Sequence, residues 1–436
     1  MKILVYAYGT RGDVQPYLAL AAALGRAGHE AILSAPARFE TLASAHGVEF
    51  RGRDDEWLGI LEDPDVRRIL AMGGMRKALD KDARRRARTR LHDDFRRLFP
   101  KILADTAAAA DSDVDLVVHS QEYVDQGGQI AEKLGVPSVL ALLHPFIVPS
   151  WEYPSGLFPF DTRLPRLLNR LSHVPLRFLR LERRTLARWR SEDLGLPPRP
   201  RSHDMQRRPD GGRVTVLHGF SRHVVTPASD WPSEVHTTGF WLLPGGDSWT
   251  PPPALAAFLD AGEPPVFIGF GSLAGLDPRE TGRAVVAAVR AAGVRAVVSS
   301  GWGSIEIDDP PEDVLIVEEV PYDRLFPRMR AVVHAGSAGA MNEALAAGVP
   351  QAACPLHREQ ELWGNRVHRL GIGPAPVRQR DLNAAVLTEI IRQVVTDRTM
   401  AERAARMRTL VRAEDGARVA ATVLTDLFDA TATHTG

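Results

Sequence analysis

The sequence predicts an α/β protein built from two parallel-sheet domains, and three observations predict it. An apolar run, a small-residue loop and an Ala/Leu-rich helix open the chain as a βαβ unit. A Pro/Gly/Trp-rich stretch lies between Thr226 and Pro265, a composition that suits a connection between domains. After it the alternation of strand and helix patterns restarts. The 436 residues leave room for two or three domains of ordinary size.

In the first half, Ile3–Tyr8 is continuously apolar, as expected of a strand buried on both faces. Pro16 is expected to open the following helix, and Gly28 to lie just past its end. Further strands are expected at Ala31–Leu33, Leu116–His119, Ser138–Leu142 and His223–Thr226. Residues 57–110 read as helical and locally basic; Arg84, Arg85, Arg86, Arg88 and Arg90 read as a solvated face. Residues 145–213, rich in Pro, Arg and aromatics, read as loops and helices inserted in the first domain. This places a first domain at 1–228 and a linker region at 229–264, marked by Pro244-Gly245-Gly246 and Pro251-Pro252-Pro253. The second domain spans 265–410. Its expected strands are Val266–Phe270, Ala296–Ser299, Val314–Val317, Ala331–His334 and Gln351–Cys354, with helices at Thr281–Ala292, Ser337–Ala347 and Gln360–Leu370. A last helix, about Met400–Asp429, is long enough for 411–436 to return to the first domain.

Composition narrows the function. Lys+Arg and Asp+Glu are equal at 54 each, so the net charge gives no argument for a nucleic-acid or membrane partner. Cys354 is the only cysteine, so a disulfide framework or a four-cysteine metal site is excluded. No apolar segment reaches spanning length, and the N-terminal run is too short for a signal peptide. The expectation is a cytoplasmic protein without stable membrane insertion. Parallel sheets bind ligands beyond the carboxyl ends of their strands, which suggests a nucleotide-type ligand but names no chemistry.

The chemistry is concentrated in a few segments. In Val332–Leu345 a strand ends at His334, and the small residues Ala335, Gly336, Ser337, Ala338 and Gly339 lead into a helix. Free N–H groups and the positive end of a helix dipole converge there, a natural diphosphate site to which His334 can also donate. Read alone, the same turn is a tight strand-to-helix connection with a buried histidine. Downstream, Glu359 and Gln360 follow a strand end, with Trp363 behind. An acid and an amide there can hold sugar hydroxyls; Glu359 can also serve as a first-turn helix acid. Asp13 sits in the loop after the first strand. It is a candidate general base, or simply an acid that complements a helix dipole. His144 and Phe146 follow a strand and read equally as acceptor contacts or core residues. The loop Gly9–Gly12 is not the GxGxxG fingerprint, which counts against a nicotinamide enzyme.

Together these segments resemble the donor signature of nucleotide-sugar glycosyltransferases with the GT-B fold. The similarity is to bacterial natural-product enzymes, such as those acting on glycopeptide antibiotics, and to sterol glucosyltransferases. The family pattern is a His-His-Gly-Gly-Ala-Gly-Thr run, then Ala-Gly-Val-Pro-Gln, then Asp-Gln with a Trp shortly after. This chain has HAGSAGA at 334–340, AGVPQ at 347–351 and EQELW at 359–363. Val320–Pro327, Ile268–Ser272 and Gly9–Pro16 resemble three further family segments.

The resemblance implies two Rossmann-like domains facing a cleft. It implies inverting, metal-independent transfer of a hexose or deoxyhexose from a UDP- or TDP-sugar to a hydroxyl of a small, largely apolar acceptor. The nucleotide sugar and the acceptor are the implied partners, with no cofactor and no metal. His334, Gly336, Ser337, Ala338 and Gly339 would bind the diphosphate, with Gly271 and Ser272 helping. Glu359 and Gln360 would hold the sugar, Val320 and Trp302 would lie near the base, and Thr10, Arg11 and Gly12 would line the cleft from the first domain. Asp13 would take the acceptor proton. Ala335 and Ala340 stand where the family has a second histidine and a threonine, and Glu359 where it has aspartate. Two other classes remain open: a non-catalytic homologue that activates a partner transferase, and a nucleotide-sugar epimerase.

Overall fold

The apolar runs of the first half form strands hidden on both faces, which is why they show no polar alternation. In the computed structural model, β1 (Lys2–Tyr6) pairs in parallel with β2 (Glu30–Pro36) on one side and β4 (Leu116–Ser120) on the other. The structure describes residues 1–62, 66, 81–120, 125–158, 164–178, 182–200, 204–245, 249–271, 277–301, 304–356 and 358–432. With β3 (Glu49–Arg53), β5 (Ser138–Leu142), β6 (Thr215–His218) and β7 (Val235–Thr237), the described residues form a sheet in the order β3-β2-β1-β4-β5-β6-β7. Every pairing in it is parallel.

The second sheet has β8 (Val266–Gly269), β9 (Ala296–Ser299), β10 (Val314–Val317), β11 (Ala331–His334) and β12 (Gln351–Ala353), in the order β10-β9-β8-β11-β12. It too is parallel throughout. Its side chains divide by strand period: Val266 and Ile268 enter one core with Val298 and Val333, while Phe267 enters the opposite core with Val297 and Val332.

The chain divides into two compact units, one of Met1–Leu58, His92–Leu243 and Glu414–Gly436, the other of Gly59–Leu91 and Pro244–Ala413. The boundary therefore falls at 243/244 rather than at 228. Residues 229–243 belong to the first unit because β7 extends its sheet, and Trp241 and Leu243 fill its core. The remainder of the expected linker includes the helix Pro253–Asp260, whose Leu255 and Leu259 enter the second core.

Other expectations are corrected in detail. His223–Thr226 is not a strand; the strand is β6, a few residues earlier. The first helix runs Arg11–Arg26 with Pro16 inside it, because Thr10 and Asp13 form a capping box that starts it five residues early. The last helical stretch is two helices, Arg398–Glu414 and Gly416–Ala432, separated by Asp415 at φ 46°. The second packs Ala417, Ala420, Ala421 and Leu424 into the first unit's core, as a returning C-terminal segment should. Arg85 and Arg90 are exposed on the helix Lys81–Ala108, as a solvated face requires.

Each sheet has one point where its strand order reverses. In the first unit it lies between β1 and β4, in the second between β8 and β11. The loops after β1 and β11, which hold Asp13 and Gly336, therefore leave the sheets beside the crevices where parallel sheets bind ligands.

The helix Pro278–Ala292 is seated by Gly282, where an added Cβ would overlap the Glu306 carbonyl oxygen. Gly282→Ala is expected to lose about 1–3 kcal/mol by overpacking. Denaturant unfolding checks this; unchanged stability would show that the close approach is not held in solution.

Candidate active site

The turn after β11 is built on a buried histidine. β11 ends at His334, which is 1% exposed. The Gly336 N–H donates to His334 Nδ1 at 2.9 Å, so the proton resides on Nε2, which donates to Gln351 Oε1 at 2.8 Å. Burial pushes this histidine's pKa down to about 4, so the ring is neutral at physiological pH. Both nitrogens are engaged. The expectation that His334 donates to a phosphate oxygen is corrected: the ring shapes the turn and has no N–H to spare.

The turn then opens the helix Ala338–Ala347. Ser337 is its N-cap in extended conformation, without a side-chain cap bond. The first helical N–H bond is from Met341 to the Ser337 carbonyl, so the N–H groups of Ala338, Gly339 and Ala340 have no partner inside the helix. Ser337 is exposed and Ala338 and Gly339 are partly so, whereas Gly336 and Ala340 are buried.

Gln360 stands against this turn. Gly336 has φ 85°, and a Cβ there would lie 2.7 Å from the Gln360 carbonyl oxygen. Only glycine therefore combines this backbone angle with this approach. Gln360 is buried and accepts the Leu356 N–H at 2.7 Å, while Glu359 is exposed beside it. Trp363, fully buried, anchors their helix, Arg358–Arg369. Gly271, at φ 73°, leaves β8 next to Gly301, whose Cβ would come within 2.6 Å of the Gly271 carbonyl. Val320 is buried among Phe267, Leu325 and Phe326, so it supplies a fixed edge of the core. Ser272 and Trp302 lie outside the described residues.

In the first unit, Asp13 Oδ2 accepts from the Thr10 N–H at 2.8 Å and from Thr10 Oγ1 at 2.9 Å. The helix-capping role of Asp13 is thus real, and Asp13 is also exposed. Gly9 permits it: at φ 143°, a Cβ there would sit 2.5 Å from Asp13 Oδ2. Gly12 faces open space, and Arg11 Nε donates to Gln15 Oε1 at 2.9 Å. His144 lies two residues past β5, its ring 4.7 Å from that of Phe146. Its Nδ1 is shut off from solvent and has no partner among the described residues. Burial drives the His144 pKa down to about 4, against the opposing pull of the Asp13 charge, so the two groups share one electrostatic neighbourhood.

Comparison with known proteins agrees with this geometry. The model of the glycosyltransferase family 28 N-terminal domain matches residues 3–145. That of the erythromycin biosynthesis protein CIII-like C-terminal domain matches 298–425. The sterol 3-beta-glucosyltransferase of Emericella nidulans is 32% identical over 433 residues, covering 95% of this chain and 29% of the relative. The chain has the GT-B fold, with a glycosyltransferase family 28 N-terminal domain at residues 3–145.

It spans under a third of the length of that curated relative. Among solved structures, the glycotransferase of kitacinnamycin superposes with TM-score 0.66 at 19% identity, covering 98% of each chain. SsfS6 of Streptomyces sp. SF2575, complexed with thymidine diphosphate, gives 0.59 at 18% identity over 98% of this chain and 99% of its own. At these identities the structures show the shared fold.

Sequence reasoning passed over two supports of the candidate residues in the first unit. Buried Arg53 donates to the carbonyls of Ala7 and Ser34, and its guanidinium lies 5.4 and 5.1 Å from the Tyr6 and Tyr8 rings. It braces the loop that carries Asp13. His218, at the end of β6, stacks on Phe220 as His144 packs on Phe146. The repeated His-x-Phe spacing at 144–146 and 218–220 was the signal available. Burial pushes His218 down to about 3, with the neighbouring His144 charge acting the same way.

These three histidines hold folded-state values below the ordinary 6.5. The unfolded chain therefore binds protons that the native state refuses. Their contribution to stability is complete above pH 6.5 and is lost as pH falls toward 4. Melting temperature is expected to drop steadily across that window; a flat profile would contradict the burial of the three rings.

Proposed function

We propose that the protein is an inverting, metal-independent glycosyltransferase that moves a hexose or deoxyhexose from a UDP- or TDP-sugar to a hydroxyl of a small, largely apolar acceptor. The observation that carries this reading is the turn Gly336–Gly339, packed against Gln360 at the strand-order reversal of the second sheet. It offers N–H groups and a helix dipole to two phosphates, and an acid and an amide to the sugar beside them.

In this reading the acceptor oxygen attacks the anomeric carbon while the bond from that carbon to the diphosphate oxygen breaks. The electron pair leaves with the diphosphate, whose growing charge is met by the N–H groups of Ser337, Ala338 and Gly339. Asp13 takes the acceptor proton. Attack opposite the leaving group inverts the anomeric centre. Glu359 and Gln360 orient the sugar, and Gly271 closes the phosphate site from β8. Thr10, Arg11 and Gly12 contribute to donor binding, with His144 and Phe146 against the acceptor. The name of the Emericella relative supports a sterol-like acceptor, and the thymidine diphosphate in the SsfS6 title supports a nucleoside diphosphate. Cys354, buried and with its thiol pushed up to about 12 by burial, fits a cytoplasmic protein.

Asp13→Asn separates catalysis from capping, because asparagine keeps an oxygen for the Thr10 N–H. With UDP- and TDP-sugars and a panel of sterol and aglycone acceptors, kcat/KM is expected to fall about 100-fold or more while the melting temperature holds. Wild-type turnover in the variant would remove Asp13 as base. Donor conversion without acceptor would indicate an epimerase, and no turnover with any acceptor a non-catalytic partner.

A further inference from the structure

The described surface is apolar in one place. Of the large hydrophobic side chains exposed among the described residues, all but Leu410 fall between Leu157 and Phe178. The helix Arg166–Ser172 is inverted relative to a surface helix of a water-soluble protein. Its uncharged polar side chains point inward, while Arg166 stays exposed. Asn169 is buried and donates to the Trp151 carbonyl at 3.0 Å, and buried Ser172 donates to the Asn169 carbonyl. Its leucines point outward, with Leu167 58%, Leu168 48% and Leu171 49% exposed.

Neighbouring apolar groups are tied to this helix. Ser155 donates its N–H to Ser172 Oγ and its hydroxyl to the Ser172 carbonyl, which brings the loop bearing Leu157 and Phe158 alongside. The turn Val174–Phe178 follows directly and exposes Val174 and Phe178. An apolar face fixed outward by buried hydrogen bonds is held there at a cost in solubility, which calls for an apolar partner.

Charge says which partner. Residues 157–184 contain seven arginines against Asp161 and Glu182, in a chain whose formal net charge is zero; of these arginines, Arg170 and Arg177 are paired with Asp230 and Asp204. Arg166, Arg183 and Arg184 are exposed within or next to the apolar face. Alternating leucine tips and arginine heads on one short segment match the boundary between acyl chains and anionic headgroups. We propose that this face docks the protein on an anionic lipid bilayer, lying in the interface without crossing it. No described helix is long and apolar enough to cross a membrane. The assignment rests on the surface alone and is independent of the transfer reaction.

Flotation with vesicles tests it. The wild-type protein is expected to rise with phosphatidylcholine–phosphatidylglycerol vesicles, to stay down with phosphatidylcholine alone, and to be released by salt. Leu167→Glu with Leu171→Glu is expected to cut binding about tenfold or more, at unchanged melting temperature and far-ultraviolet circular dichroism. Arg183→Gln with Arg184→Gln is expected to weaken binding to anionic vesicles by a similar factor. No binding by the wild type, equal binding to neutral vesicles, or full binding by the leucine variant overturns the proposal. Self-association that depends on Leu167 and Leu171, with vesicles left unbound, overturns it in favour of a second copy of the chain.

Discussion

The buried imidazole of His334 is the constraint on which the second unit's site depends. The ring closes two connections, to the turn through the Gly336 N–H and to β12 through Gln351, while the backbone carbonyl of the same residue accepts the Cys354 N–H at 2.7 Å. Because the ring is neutral and both nitrogens are occupied, the turn is set before any ligand arrives. Preorganised N–H groups cost no reorganisation when charge develops, which makes them more effective than mobile side chains. This also explains how Ala335 and Ala340 can be tolerated. Both are buried, and the donors that face outward are backbone groups that no side-chain replacement removes.

The first unit solves a related problem differently. Its loop after β1 is held from below by Arg53 and closed at its far end by the capping box of Thr10 and Asp13. Asp13 therefore carries a structural and a proposed chemical duty in one carboxylate, and the first of these fixes where the second can act. The neutral His144 adds to the same neighbourhood a solvent-shielded nitrogen that has no hydrogen-bond partner among the described residues.

Much of this could be read from the residues, and the failures have physical causes. The strands at Leu116–Ser120 and Ser138–Leu142 were legible because both faces are buried and the runs are mostly apolar. β3, reading Glu-Phe-Arg-Gly-Arg, was not, because an edge strand carries polar residues and its buried arginine is stabilised by distant carbonyls. β7 lay hidden in a stretch whose prolines and glycines suggested a linker. The first helix was placed late because Pro16 was taken as its start, when a Thr/Asp box three residues apart was the stronger signal. At the site, residue types and spacing singled out the turn and Glu359-Gln360, and the structure packs Gly336 against Gln360. They did not reveal that His334 faces inward, since that depends on Gln351, which is distant in sequence and adjacent only once β11 and β12 pair.

The most direct measurement is a crystal structure of the protein with thymidine diphosphate. The account predicts phosphate oxygens within hydrogen-bonding distance of the N–H groups of Ser337, Ala338 and Gly339, with the His334–Gln351 bond intact. A diphosphate bound elsewhere, or a His334 ring swung away from Gln351 to meet it, would contradict the claim that a preset backbone turn is the donor site.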